Sequence, residues 1–247
     1  MTTKVIPGQL VAEEEVSEVA QEAATRIARA LRNAIAKGSR ATLALSGGNT
    51  PRDAYSALAL EPAIDWTRVS VFWIDERAVA PTDDRSNYRW AKATLLDRAP
   101  IPPENVHRMH AEAPDLDGAA REYERLIRER VEVDAEGLPA FDVVVLGIGE
   151  DGHTASLFPG DPAVDTVDRF VVPVGATKER EARLTVTPPV IEHARCVFIL
   201  AVGPGKREPL ERIWLARGDV HRTPARIVRG CRGAVTWIID KIAGGLG

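Results

Sequence analysis

The sequence has few cysteines and no long apolar run, and each absence excludes a class of protein. Cys196 and Cys231 are the two cysteines among 247 residues, and no CxxC pair exists. They leave no thiol set for a metal site and are expected to be reduced. No run reaches the roughly 18 apolar residues of a membrane helix, and residues 1–15 lack the segments of a secretory signal. We therefore expect a cytoplasmic protein.

Three motifs of well-defined chemistry are also missing. No GxSxG elbow, GxxxxGK[ST] loop or HExxH pair occurs, which argues against a serine hydrolase of the α/β type, a nucleotide P-loop and a zinc protease. Residues 147–152 match GxGxxG, but a dinucleotide site would need an acid at the end of a second strand about 20 residues later. Asp165 and Asp168 lie in a polar loop instead. A dinucleotide cofactor is therefore not favoured.

The charge balance restricts the partners of the chain. The net charge is −4 and the pI is near 5.8, which argues against nucleic acid or an anionic membrane as a partner. Hydrophobic residues make up 45% and charged residues 28%, as in ordinary soluble globular proteins. Any phosphate-binding site must therefore be local.

Strands alternate with helices along the chain. This order predicts an α/β fold in which residues 1–247 form a single domain, with a mostly parallel, Rossmann-like sheet flanked by helices. The expected helices cover residues 11–37, about 50–60, about 86–97, 116–133 and 207–216. The expected strands cover residues 41–45, 69–74, 141–146, 170–174, 184–187, 196–202 and 234–239.

The stretch 141–159, FDVVVLGIGEDGHTASLFP, combines a buried strand with a glycine loop. Phe141–Leu146 is apolar and rich in valine, as is typical of a strand covered on both faces. Three glycines follow before His153, and Thr154–Leu157 are expected to begin a helix. Ligands of open α/β sheets bind outside the carboxyl ends of strands, so His153 is a candidate catalytic residue.

Polar residues follow four of the predicted strands. Because parallel strands end at the same edge of a sheet, these residues are expected to meet there. They are Ser46-Gly47-Gly48, Asp75-Glu76-Arg77, Gly149–His153 and Gly203–Lys206.

Three of these stretches offer groups that could bind a phosphate. Residues 46–50 offer backbone N–H groups, hydroxyls and a helix start, with Thr50 as the expected cap, although a glycine turn with a cap would look the same. Arg77 and Lys206 are candidate phosphate ligands, or else ordinary solvated side chains.

The acids before His153 have two possible roles. Glu150 and Asp151 could orient the imidazole and hold its pKa near neutrality, or cap the next helix. In the first case His153 is a candidate general base.

Four segments together resemble the 6-phosphogluconolactonase family, in order and over nearly the whole chain. Glucosamine-6-phosphate isomerases are related, but Arg77 and the TASLFP run after His153 favour the lactonases. The segments are LALSGGNTPRDAY (43–55), FWIDERAVAPTDDRSNY (72–88), LGIGEDGHTASLFPG (146–160) and AVGPGKREPLERI (201–213).

The resemblance implies hydrolysis of 6-phospho-D-glucono-1,5-lactone without a metal or organic cofactor. It implies His153 as the general base, with Asp75 and Asn87 orienting the site. Arg183 resembles a family arginine, although residues 178–182, KEREA, replace a common Lys-x-Pro-Pro turn. The residues placed around the substrate are Ser46, Gly47, Gly48, Thr50, Arg77, Asn87, Glu150, Asp151, Arg183 and Lys206. A monomer is expected, with this small phosphosugar lactone as its partner.

Two other functions remain open at this stage. In an aldose-ketose isomerase or deaminase, Asp75 or Glu76 would abstract a proton beside the carbonyl and His153 would help to open the ring. A non-catalytic sugar-phosphate sensor would keep the phosphate loop but would not need a positioned base.

Overall fold

The computed structural model of the chain describes residues 3–38 and 40–246, and within them the strands form two sheets. The strands are β1 Gln9–Glu13, β2 Ala41–Leu45, β3 Val69–Trp73, β4 Asp75–Arg77, β5 Val106–His107, β6 Val143–Gly147, β7 Val171–Val174, β8 Arg183–Val186, β9 Cys196–Ala201 and β10 Ala234–Asp240.

Seven α-helices are assigned in the described residues, and they alternate with these strands. They are α1 Val16–Lys37, α2 Asn49–Leu58, α3 Asn87–Ala91, α4 Leu116–Arg130, α5 Pro188–Glu192, α6 Arg207–Trp214 and α7 Lys241–Gly244. Helix α3 continues into a π-helical turn, Lys92–Leu96. No helix of residues 3–38 and 40–246 combines the length and apolar character that a membrane span requires.

The larger sheet has seven strands in the order β1-β10-β9-β6-β2-β3-β5, and all of its strand pairs are parallel. Strands β2 and β3 are buried at every position, as expected for a sheet covered on both faces. The predicted α/β fold with a mainly parallel sheet is therefore confirmed. The carboxyl ends of β2, β3, β6 and β9 lead into the four polar stretches.

The first predicted helix starts too early, because a strand precedes it. Residues 9–13 pair in parallel with β10, with Leu10 opposite Trp237, so this pairing overrides their helix-like spacing. The chain then turns, and a carboxylate oxygen of Glu18 accepts a hydrogen bond from the backbone N–H of Glu15 at 3.0 Å. Helix α1 begins at Val16 and buries side chains such as Ile27 and Leu31.

A second, smaller sheet was not predicted. Strands β4, β8 and β7 form it with antiparallel pairing, in which Arg77 lies opposite Arg183 and Asp75 opposite Thr185. The tripeptide 75–77 is therefore a short strand as well as the end of β3. Its pairing with β8 brings Arg183 to the carboxyl edge of the large sheet.

Two local predictions near this edge are wrong. Residues 154–157 form a turn instead of a helix start, since Ala155 has a φ of 50° and Leu157 N donates to Thr154 O at 3.0 Å. Helix α2 begins at Asn49 with Gly48 before it, so Thr50 lies inside the first turn and is not the cap.

Candidate active site

A cavity of about 450 Å³ lies at the carboxyl edge of the large sheet. The four polar stretches meet there, as predicted. Of the expected site residues, those lining the cavity are Ser46, Gly47, Gly48, Thr50, Asp75, Arg77, Asn87, His153, Arg183 and Lys206. Val16, at the start of α1, also lines it and was not expected from the sequence.

This cavity is smaller than two others, so its volume does not identify it as the active site. Cavities of about 530 and 600 Å³ lie elsewhere, one beside His107 and Tyr123, the other along α1. Neither is lined by His153 or by the glycine turns. The cavity of about 450 Å³ is distinguished by its place at the carboxyl edge of the sheet, where His153 and Asp75 meet the glycine turns.

The turn after β2 is shaped by contacts that leave no room for a side chain. The Tyr55 hydroxyl accepts from Ser46 N and donates to Ser46 O, both at 3.0 Å. A Cβ placed on Gly47 would lie 1.9 Å from Asn87 Oδ1, and Gly48 has a φ of +105°. Ser46 Oγ is buried without a hydrogen-bond partner in the described residues, so it is free for a ligand.

Asp75 is a buried carboxylate that is held from three sides. Its Oδ1 accepts from Asn87 Nδ2 at 3.1 Å, and its Oδ2 accepts from Ser156 Oγ at 2.7 Å. Arg183 Nη1 lies 3.9 Å from the same Oδ2. These contacts hold the carboxylate in one orientation at the cavity wall.

Glu76 organises the start of α3, a role that the sequence did not reveal. Its carboxylate accepts from the backbone N–H groups of Asn87 and Tyr88 at 2.8 and 2.7 Å, and from Ser86 Oγ at 3.1 Å. Burial raises the pKa of Glu76, and these N–H groups oppose that rise. Because the carboxylate fixes the Asn87 backbone, it also fixes the amide that supports Asp75.

His153 and Asp151 form a hydrogen-bonded pair within one loop. Asp151 Oδ1 lies 2.6 Å from His153 Nδ1 and accepts from His153 N at 3.0 Å. Burial alone would raise the pKa of Asp151, but the hydrogen bonds from His153 outweigh it and lower the pKa to about 2. An ionised Asp151 favours the tautomer with a proton on Nδ1, which leaves Nε2 as an acceptor.

Three cations stand around the same cavity. Arg77 comes from β4, Arg183 from β8 and Lys206 from the turn after β9. Nε of Arg77 and Nε of Arg183 are buried and have no hydrogen-bond partner in the part of the chain described. Burial lowers the pKa of Arg183, although an arginine stays charged at neutral pH. The cavity is therefore suited to an anionic ligand.

The two acids before His153 do not line the cavity wall. Glu150 was expected to contact the substrate, but a Cβ placed on Gly205 would lie 2.4 Å from its Oε1. Its carboxylate therefore lies beside the turn that precedes Lys206. Asp151 reaches the site through its hydrogen bonds to His153, which supports a role in orienting the imidazole over a role as a helix cap.

Across residues 3–38 and 40–246, no group of three or more His, Cys, Asp or Glu side chains is arranged to hold a metal ion.

Comparison with known proteins identifies relatives over most of the chain. Residues 14–237 match the family described as glucosamine-6-phosphate isomerases/6-phosphogluconolactonase. A 6-phosphogluconolactonase of Synechocystis sp. is 42% identical over 220 residues, covering 89% of this chain and 88% of the relative. One from Streptomyces coelicolor is 35% identical, covering 95% and 93%.

Solved structures are also similar to this chain over most of its length. The 6-phosphogluconolactonase of Trypanosoma brucei superposes with a TM-score of 0.85 at 27% identity, covering 96% of this chain and 98% of that one. A monomeric glucosamine-6-phosphate deaminase has a TM-score of 0.81 at 19% identity, covering 97% and 100%, and so shares the fold. The chain thus belongs to the glucosamine-6-phosphate isomerase/6-phosphogluconolactonase family.

Proposed function

We propose that this protein hydrolyses 6-phospho-D-glucono-1,5-lactone to 6-phosphogluconate, a step of the oxidative pentose phosphate pathway. The observation that carries the proposal is the Asp151–His153 pair, whose ring lines a cavity that also presents Arg77, Arg183 and Lys206. Relatives of this chain at 42% and 35% identity carry the name 6-phosphogluconolactonase.

In the proposed reaction His153 acts as a general base. Its Nε2 takes a proton from water while the water oxygen forms a bond to the lactone carbonyl carbon. Asp151 keeps the other proton on Nδ1 and stabilises the imidazolium that forms. The imidazolium then protonates the ring oxygen as the C–O bond breaks, and the new carboxylic acid releases its proton to solvent. A positioned base of this kind contributes about 10² to 10⁴ in rate.

The cations and the turn after β2 would bind the phosphate. Arg77 can present a fork of N–H donors and Lys206 a point charge, while the Ser46 hydroxyl and the backbone at the start of α2 add donors. A phosphate fixed at one end of the cavity converts binding energy into correct placement of the lactone carbonyl at the other.

An aldose-ketose isomerase or deaminase would use Asp75 as the base. Hydrogen bonds from Asn87 and Ser156 engage both of its carboxylate oxygens, and Arg183 lies 3.9 Å from one of them, so Asp75 is held in place by its neighbours. Nε2 of His153 instead has no hydrogen-bond partner within residues 3–38 and 40–246, while Nδ1 is bonded to Asp151. This contrast favours hydrolysis, and a catalytic base also disfavours a simple sugar-phosphate sensor.

The proposal extends to the state of the protein. We expect residues 1–247 to act as one domain and as a monomer in the cytoplasm, with a small phosphosugar lactone as its partner and with no nucleic acid or membrane. We expect hydrolysis to need no metal or organic cofactor.

The test is the rate at which freshly prepared 6-phosphogluconolactone disappears. Wild-type protein should accelerate the decay well above the uncatalysed rate, and His153→Ala should lose about 10²-fold or more of kcat. A sample without protein gives the background. If the lactone decays at the background rate with wild type, and wild type instead converts glucosamine 6-phosphate, the protein is an isomerase or deaminase and this proposal is wrong.

A further inference from the structure

His153, the proposed base, has a second neighbour besides Asp151. This neighbour is Phe158, whose ring packs against the imidazole. Phe158 is 7% exposed, and the centroid of its ring lies 4.6 Å from that of the His153 ring, with 44° between the two planes. One hydrogen bond at Nδ1 fixes one atom of an imidazole but allows the ring to pivot about it. A second contact on the ring is needed to fix the direction of Nε2.

Arg180 in turn holds the Phe158 ring. Its guanidinium carbon lies 3.6 Å from the ring centroid, and Arg183 lies farther away at 5.5 Å. A guanidinium stacked on an aromatic face at this distance is attracted by the ring quadrupole. Nε of Arg180 is buried without a hydrogen-bond partner in the described residues, as expected for a group packed on a ring.

An ion pair fixes Arg180 to the turn that follows Phe158. Arg180 Nη2 lies 3.3 Å from Asp161 Oδ2, and the two side chains are only 20% and 17% exposed. Asp161 N donates to Phe158 O at 3.1 Å, and Asp161 Oδ1 accepts from Ala163 N at 3.0 Å. Phe158, Asp161 and Arg180 therefore each contact the other two.

From these contacts we infer that Phe158 and Arg180 are positioning residues for His153, with Arg180 acting through Phe158. Residues 178–182, in which this chain departs from a common family turn, thereby supply a side chain that fixes the base. The catalytic part of this inference rests on the proposed lactonase function. Neither residue touches the reacting atoms, so their effect is on the orientation of Nε2.

The first experiment separates turnover from binding. Phe158→Leu should lower kcat about tenfold or more with KM changed less than about threefold, because a misdirected base lowers the rate of bound substrate. Arg180→Met should lower kcat by about threefold, and the double variant should be no slower than Phe158→Leu, because both act on one ring.

A matched pair elsewhere in the fold provides the control. Arg128 stacks on Phe170 with its guanidinium carbon 4.0 Å from the ring centroid, and neither residue lines the cavity. Phe170→Leu and Arg128→Met remove the same kind of contact and should leave kcat unchanged. If Phe170→Leu slows turnover as much as Phe158→Leu, or if Phe158→Leu keeps wild-type kcat, the inference is overturned.

A readout without substrate keeps this inference separate from the lactonase proposal. Nitrogen-15 spectra of the histidine side chains, with His153 assigned by its loss in His153→Gln, should show one Nδ1-protonated tautomer in wild type. Phe158→Leu should broaden or average these signals, and Phe170→Leu should not. Identical spectra would refute the positioning role even if the lactone is hydrolysed. Altered spectra together with an inactive wild type would support it and reject only the lactonase proposal.

Discussion

At the scale of single residues, the pair of Asp151 and His153 gives the sharpest prediction. Asp151→Asn removes the charge and can donate to Nδ1, which favours the tautomer that protonates Nε2. We expect kcat to fall by about 10²-fold or more, with KM little changed. Steady-state kinetics on the fresh lactone would measure this.

The fold contains a second histidine–aspartate pair that serves as a control. His193 Nδ1 contacts Asp134 Oδ2, and neither residue lines the cavity. Asp134→Asn should therefore destabilise the fold without lowering kcat. Equal losses of kcat in the two aspartate variants would show that Asp151 acts only through stability.

The sequence predicted which residues meet at the sheet edge where they lie in the loops after parallel strands. His153, Asp75 and Lys206 meet at the cavity because parallel strands end at one edge. Phe158 and Glu76 could not be assigned in this way. Their roles depend on contacts with Arg180 and with the start of α3, which no local pattern encodes.

At the scale of elements, the turn after β2 and helix α3 fit against each other. Gly47→Ala places a Cβ where Asn87 Oδ1 lies, so Asn87 must move away from Asp75. We expect kcat/KM to fall about tenfold or more, and the free energy of unfolding to fall by about 1–3 kcal/mol. Kinetics and urea unfolding of the same preparation would measure both.

Gly175→Ala is the matched substitution, because an added Cβ there meets nothing within 4 Å and the backbone needs no positive φ. It should leave both quantities at wild-type values. Wild-type kinetics in Gly47→Ala would mean that the Asn87 amide is dispensable for the site.

Elements were harder to predict where tertiary pairing decides the local structure. Strand β1 forms because β10 offers it a partner, although its sequence continues the pattern of α1. The turn at residues 154–157 is set by side-chain bonds, such as Thr154 Oγ1 to Gly147 O at 2.9 Å. The small antiparallel sheet joins β4 to strands about a hundred residues later, a distance that local patterning does not report.

At the scale of the whole molecule, His107 should make stability depend on pH. Burial, assisted by the charges of Arg130 and Arg40, lowers the pKa of His107 from 6.5 to about 4. The unfolded chain therefore binds this proton more tightly than the folded one. The free energy of unfolding therefore keeps its full value above pH 6.5. As the pH falls toward 4 it decreases by about 1–3 kcal/mol, after allowance for the partial exposure of His107.

The measurement is urea unfolding at pH 7 and pH 4.5 for wild type and His107→Gln. The variant cannot take up this proton, so its stability should fall less than that of wild type over the same interval. His107 lies beside a different cavity, and turnover at pH 7 should therefore be retained. Parallel losses of stability would show that His107 is not the group responsible.

The pair of Asp151 and His153 is local, whereas Arg77, Arg183 and Lys206 come from three separate elements. An anion bound among these cations would therefore tie distant segments together, like a removable cross-link. Product left in the site would add RT ln(1 + [L]/Kd) to the free energy of unfolding, about 2.7 kcal/mol at a hundred times Kd. The concentration of product would in this way influence the stability of the folded protein as well as its rate of turnover.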